Sequence, residues 1–321
     1  MTDRNALKHR FIAATPWAAA AQTLLAGDAS NRRYDRLINP DGTSAVLMDA
    51  PSEKGEDTRP FITIANHLND IGLSAPKILH QDIENGFLIL EDLGDDLFAR
   101  TLQTHPDAEA ELYEAAVDTL VHLHRHDAPP LAAYTTGVMA PLAALCYDWY
   151  YFGITGHNNG PVSEKFSTAL KNVMTPLEDT TPVLIQRDYH AENLLWLPER
   201  AGAARVGLLD FQDAMLGHPA YDLVSVLQDA RRDVSPETQN AMITHFLKQT
   251  AHDPAEFRTA YAVLGVQRNL RILGVFARLC MRDGKAHYID LIPRVWDHLQ
   301  NDLAHPALAE VAKILTASLP P

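Results

Sequence analysis

The chain has 321 residues, 46% hydrophobic and 21% charged, which allows a sizeable core and suggests about two domains or lobes. Its formal net charge of -14 argues against a nucleic-acid partner, because a phosphate backbone is bound by clustered Lys and Arg. The two cysteines, Cys146 and Cys280, lie far apart and outside any CxxC pair, which argues against a disulfide framework or a structural zinc site and fits free thiols in a reducing cytoplasm.

The N-terminal stretch KHRFIAATPWAAAAQTLLAG has a basic start and an alanine-rich centre, but Pro16 and Gln22 interrupt it and a charged segment follows. It reads as a helix packing on the first domain rather than as a signal peptide. NRRYDRLINPDGTSAVLMDAP reads as two strands joined by a turn at Pro40, Asp41 and Gly42. DTRPFITIANHLNDIGL then has a cap at Asp57 or Thr58 and Pro60 near its start. Its apolar residues Phe61, Ile64, Ala65 and Leu68 share one helical face, and Gly72 ends it. Two further strands flank Asn85-Gly86, a strong hairpin signal. After Glu91 to Asp95 the pattern changes: DAEAELYEAAVDTLVHLHRH is helical by period, with Leu112, Ala116, Leu120 and Leu123 on one side. Helices dominate from there on, apart from a strand pair near the middle. The best membrane-span candidate, Leu131 to Tyr147, is broken by Pro141. The expected organisation is a β-rich N-lobe over 1–90, a linker over 91–95 and a mainly helical C-lobe over 96–321.

The strand pair carries the chemistry. VLIQRDYHAENLLWL places an Asp, a His and an Asn between two apolar runs, and VGLLDFQDAMLGHPAYDLVSVL follows after a hairpin through Pro198 to Ala204. Phosphoryl transfer from a nucleotide asks for a carboxylate that takes the attacking hydroxyl's proton. It also asks for an Asn oxygen and a second carboxylate that hold Mg²⁺ against the phosphates. Asp188 and Asn193 have the D-x-x-x-x-N spacing of a kinase catalytic loop, and Asp210-Phe211 stands where the aspartate of a D-F-G motif would. Other chemistries lack their defining elements. His122, His124 and His126 alternate on a helix and so face different directions rather than one metal. Neither HExxH nor GxSxG is present.

QRDYHAENLLW and LLDFQDAMLGHPAYDLVSVL resemble the aminoglycoside phosphotransferase and choline kinase-like superfamily, which has a bilobal protein-kinase-like α+β fold. GDASNRRYDRL, VLMDAP, TRPFI, LEDLGDDLF, DFQDA, QRNLRILGVFARL and RDGK resemble, more narrowly, bacterial kinases that phosphorylate N-acetylmuramate and N-acetylglucosamine at the anomeric hydroxyl. The resemblance implies Asp188 as catalytic base and Asn193 and Asp210 as Mg²⁺ ligands. It implies ATP between the lobes, its adenine at backbone groups of Glu91 to Leu93 and its phosphates under the turn GDASNRRY, where Gly27, Ala29 and Ser30 are small. It further implies a small-molecule sugar substrate, with no nucleic-acid or membrane partner, and a cytoplasmic enzyme.

Two positions depart from the wider kinase pattern. Met48 and Asp49 stand where a strand lysine grips the phosphates, so Arg32 or Arg33 is the candidate replacement, with Arg59 a further one. Gln186 replaces the His that usually opens the loop motif. Both departures leave room for a catalytically inactive nucleotide-binding pseudokinase, although Asp188, Asn193 and Asp210 are all retained. On the acceptor side, Arg268, Arg271, Arg278 and Arg282 form one helical stripe, and a carboxylate-bearing sugar would suit one of them. His190 and Asp213 are expected on the same side. The alternative acceptor, a cationic aminoglycoside, would need an acidic lining, for which Asp213, Asp222, Asp229 and Asp233 are available; Asp222 also reads as a brace for the loop or a helix cap.

Overall fold

The computed structural model describes residues 3–26 and 31–320. In chain order the first elements are α1 (Arg4–Ala13), β1 (Ala21–Ala26), β2 (Arg33–Ile38), β3 (Ser44–Asp49), α2 (Arg59–Asp70), β4 (Ile78–Asp82), β5 (Phe87–Glu91) and α3 (Phe98–Thr104). Next come α4 (Glu109–His124), α5 (Thr136–Leu145), a π-helical turn (Cys146–Tyr151), α6 (Phe152–Thr155) and α7 (Gly160–Met174). The short strands β6 (Val183–Ile185), β7 (Leu194–Trp196), β8 (Val206–Leu208) and β9 (Met215–Gly217) follow. The chain ends with α8 (Ala220–Leu227), α9 (Pro236–Gln249), α10 (Pro254–Asp283), α11 (Ile292–Leu303) and α12 (Ala309–Ser318). Contacts group these into two compact units, Met1–Pro106 with Glu192–Asp213, and Asp107–Ala191 with Ala214–Pro321. No helix of the described residues is long and apolar enough to cross a membrane.

The first unit is built on an antiparallel sheet of order β1-β2-β3-β5-β4. Both turns expected from the sequence form, and Gly42 and Gly86 take φ of 86° and 69° there. Gly86 has no alternative, because a Cβ would run into the Ala50 carbonyl, whose own residue bonds Gly86 through its N–H at 2.8 Å. As the sequence suggests, α1 packs on this sheet. Ile12 and Trp17 join Leu37, Ala45, Leu47 and Ile89 in one buried cluster, each large side chain contributing about 1.5–3 kcal/mol. Arg4 lies over the Phe87 ring at 4.1 Å and bonds Asp49, while Lys8 reaches the buried Asp35 at 3.2 Å. On α2, Phe61, Ile64, Ala65 and Leu68 are buried, and the cap is made by Asp57, whose Oδ1 accepts from the Arg59 N–H at 2.9 Å. Phe211 stacks on Phe61 at 4.9 Å, and β7 pairs with β8 as the expected hairpin.

The second unit is mostly helical, with one strand pair. β6 pairs with β9, a three-residue strand that the sequence reading did not contain. Its core is α10, a 30-residue helix about 45 Å long. Ala260 to Leu270 are buried without a break, as expected of a helix surrounded by neighbours rather than lying at the surface. Two glycines let those neighbours close in. A Cβ on Gly274 would collide with the backbone of Leu145 and Cys146, and one on Gly265 would collide with the Asp302 carboxylate. Asp302 sits in a buried polar set, accepting from Gln228 at 3.0 Å and Asn269 at 3.4 Å, and burial holds its carboxyl well above the ordinary range. Cys146 is buried, Cys280 is partly exposed, and both are free thiols.

Candidate active site

Within the second unit, the segment after β6 is held by carboxylates rather than by the ladder. Asp222, in the first turn of α8 and fully buried, accepts the N–H groups of Gln186 at 2.6 Å and Arg187 at 2.9 Å. Burial pushes its pKa up to about 7 against those two bonds and the Arg268 charge, which favour the anion. Asp229 does the same further along, accepting from Ala191 at 3.2 Å and Arg231 at 2.8 Å. Tyr189 anchors the loop to α4 by donating to the Ala116 carbonyl at 2.9 Å. Held from these sides, Arg187 adopts a φ of 72°, a left-handed conformation that costs an L-residue roughly 1–3 kcal/mol.

Asp188 is partly exposed in this frame and interacts electrostatically with His190, Asp222, Arg268 and Arg271. His190 is buried. Desolvation pulls its pKa down to about 4 despite Asp229 and Asp188, so it is a neutral imidazole near pH 7. Arg268 is 4% exposed and donates to Ser225 Oγ at 2.8 Å, and Ser225 in turn donates to the Arg187 carbonyl at 3.3 Å. Arg271 donates to the Tyr221 hydroxyl at 3.3 Å. The stripe expected from the sequence thus splits: Arg268 and Arg271 lie beside Asp188, while Arg282 is exposed and paired with Asp283 at 2.7 Å.

The first unit carries the remaining expected residues. Asn193 and Asp210 sit at the two ends of the β7–β8 hairpin, and the Leu209 N–H bonds the Asn193 carbonyl at 3.0 Å. Their side chains approach to 3.5 Å, Nδ2 to Oδ2, and Gln212 donates to the other Asp210 oxygen at 2.7 Å. Asp210 has a φ of 58°, and with Arg187 it is one of two non-glycine residues of positive φ among the described residues. No group of three or more His, Cys, Asp or Glu that could hold a metal is present among the described residues. Magnesium asks for less, since one or two protein oxygens, phosphates and water complete its shell. The hard-oxygen donors of Asp210 and of a turned Asn193 carboxamide fit that ion.

Arg32 and Arg33 differ sharply. The Arg33 side chain is 54% exposed and pairs with Asp35, whereas Arg32, just before β2, is 14% exposed and pairs with Glu56 at 2.7 Å. Arg32 also bonds the hydroxyl of Tyr34, whose pKa burial raises and which senses the charge of Asp210. Arg59 is turned to solvent and to Asp57. Met48 is fully buried and Asp49 is bound to Arg4, so neither stands in for a strand cation. Glu91 is engaged by Arg200 at 2.7 Å, and Leu93 packs over Gly207, where a Cβ would crowd it at 3.2 Å. Asp213 belongs to this unit as well. Ser30, with Gly27 and Ala29, lies outside the described residues.

Three features correct or extend the sequence reading. Asp222 and Asp229 do not line an acidic pocket; their oxygens are taken by loop N–H groups, and Asp233 is taken by Arg294. Gln186 does not replace a loop-organising His, since its buried Nε2 has no hydrogen-bond partner and Asp222 does the organising through backbone. Tyr34 went unnoticed and Asp229 was read only as a candidate pocket acid, because an aromatic on a strand and an acid after a helix have no distinguishing pattern.

Comparison with known proteins agrees with this chemistry. A protein of Caulobacter vibrioides named N-acetylmuramate/N-acetylglucosamine kinase is 38% identical, over 97% of this chain and 95% of its own length. A protein of the same name from Pseudomonas aeruginosa is 36% identical, over 91% of this chain and 87% of its own. The ADP-bound aminoglycoside phosphotransferase APH(2'')-Ib superposes with a TM-score of 0.61 at 14% identity, over 94% of this chain and all of that one, which supports the expected kinase-like α+β fold. The family described as "Phosphotransferase enzyme family" matches residues 21–258, most of the chain, and it is to this family that the chain belongs.

Proposed function

We propose that the enzyme moves the γ-phosphoryl group of ATP to the anomeric hydroxyl of an amino sugar, N-acetylmuramate or N-acetylglucosamine, in the cytoplasm. Asp188 takes the hydroxyl proton as the sugar oxygen attacks phosphorus, and ADP leaves. His190, neutral near pH 7, shapes the acceptor side without adding a charge, and Asp213 assists. Arg32, steadied by Glu56, meets the phosphates in place of the strand lysine, with Arg33 at the rim and Ser30 in the covering turn. The linker 91–95, between lobes over 1–90 and 96–321, offers backbone at Glu91 and Leu93 to the adenine. Bound by Asn193 and Asp210, Mg²⁺ would neutralise phosphate charge.

The observation that carries the acceptor class is the pair Arg268 and Arg271 beside Asp188, with no carboxylate of the described residues in ion-pair range of either. A polycationic aminoglycoside would be repelled there, and three of the acids that could have received it are engaged elsewhere. A pseudokinase has no use for a base on a loop whose two preceding N–H groups are braced by Asp222. The test is ³¹P NMR of the protein with ATP, Mg²⁺ and both sugars. A sugar 1-phosphate signal is expected with wild type and its loss with Asp188→Ala. If ATP simply persists, the amino-sugar assignment falls; unchanged turnover in the variant removes Asp188 as base.

A further inference from the structure

Asp222 and Ser225 stand three residues apart on α8, and so share one face of it. That face holds two consecutive peptide groups of the loop that carries Asp188. Asp222 accepts the Arg187 N–H at 2.9 Å, and Ser225 donates to the Arg187 carbonyl at 3.3 Å. The second of these peptides joins Arg187 to Asp188. Holding both planes imposes the left-handed φ of 72° at Arg187, and it fixes the Asp188 Cα, which lies in the second plane.

Ser225 has a single proton, so where it points depends on what else the hydroxyl bonds. Arg268, on α10, decides this: its Nη2 donates to Ser225 Oγ at 2.8 Å, and a guanidinium can only donate. Ser225 therefore accepts from Arg268 and keeps its own proton for the Arg187 carbonyl. Both residues are buried, Ser225 completely. The Arg268 charge also favours the ionised form of Asp222, the form with both oxygens free to accept. Stability does not account for a cation at this position. Nε and Nη1 of Arg268 have no hydrogen-bond partner, and burying a guanidinium with unmet donors is unfavourable.

We propose that Arg268 is a positioning residue for Asp188, acting through Ser225 on the peptide that joins Arg187 to Asp188 and not by touching the acceptor. This rests on the reading of Asp188 as base and deepens it. The base is then held from two helices, with Asp222 and Ser225 gripping its peptides from α8 and Arg268 aiming the serine from α10.

The test is steady-state kinetics of the full chain with ATP, Mg²⁺ and each sugar, beside thermal melting. The variants are Arg268→Met, Arg268→Lys, Ser225→Ala and Arg268→Met combined with Ser225→Ala. Arg268→Met and Ser225→Ala are each expected to lower kcat roughly ten- to a hundredfold with KM nearly unchanged, by the same factor for both sugars. Because the two residues act in series, the double variant should lose no more than the worse single one. Arg268→Met should melt no lower than wild type, since an apolar side chain replaces a buried charge. Arg268→Lys retains the charge and a donor and should recover part of kcat. Losses that multiply in the double variant overturn the proposal. So does a rise in KM confined to N-acetylmuramate, the sugar with a carboxylate, because Arg268 would then touch the acceptor. Should Arg268→Met not fold, Arg268→Lys and its combination with Ser225→Ala carry the same comparison. If wild type phosphorylates neither sugar, the amino-sugar reading fails and hydrogen exchange of the Arg187 amide decides the proposal alone. Faster exchange in Ser225→Ala and Arg268→Met supports the brace, and unchanged exchange overturns it.

Discussion

Asp222 shows how much a single carboxylate can organise. Its two oxygens satisfy consecutive backbone N–H groups just before the proposed base, in a place where water does not reach. Asp222→Ala would leave two buried donors without acceptors, each worth about 1–3 kcal/mol, so a loss of roughly 2–6 kcal/mol is expected in urea denaturation. A loss below about 1 kcal/mol would mean that the loop is held by other means. This brace was legible in advance, because the Tyr-Asp-Leu triplet follows the motif at a telling distance. Asp229 was not, because an acid that accepts from loop backbone looks in sequence like any acid on a polar surface. The strained φ of Arg187 was equally invisible, since conformation at one residue is imposed by Asp222, Ser225 and the loop closing around it.

At the scale of elements, the pieces set by local chemistry were the readable ones. The β2–β3 and β4–β5 hairpins turn on Asp41-Gly42 and Asn85-Gly86, and α2 and α10 announce themselves by period. β9 escaped because three residues have no period and its partner β6 is some thirty residues away. α10 also shows why propensity alone misleads. Gly→Ala within a helix ordinarily gains about 1 kcal/mol. At Gly274 the added Cβ would press on the Leu145–Cys146 backbone, 2.7 Å from the Cys146 nitrogen. Gly274→Ala should therefore destabilise by roughly 1–3 kcal/mol, read from the denaturation midpoint. Stabilisation would show that the α5 end can give way.

Across the whole molecule, buried histidines tie stability to pH. Burial lowers the pKa of His124 to about 3 and of His190 and His218 to about 4. A histidine kept neutral by the fold contributes stability that is full above its unfolded pKa near 6.5 and is lost as pH falls towards the folded value. Asp222, raised to about 7, works the other way, losing its contribution as pH rises through the same range. A single melting curve therefore mixes opposing effects, and the difference between variant and wild type is the informative quantity. His124 packs edge-on against Phe246 at 5.9 Å, and neither ring nitrogen has a hydrogen-bond partner, so His124→Phe keeps the packing and removes the charge. Its stability relative to wild type should improve by up to about 2 kcal/mol between pH 7.5 and pH 5. A pH-independent difference would show that His124 titrates alike in the folded and unfolded states.

Gly265 and Asp302 carry a consequence for the history of this chain. The carboxylate of one occupies the space where a side chain of the other would begin. Neither position can drift alone: any gain of bulk at 265 is tolerated only with a smaller residue at 302, and a shortened residue at 302 opens a hole that 265 can then fill. Across descendants of this sequence the two positions should change together or not at all, a correlation that shared ancestry alone would not produce.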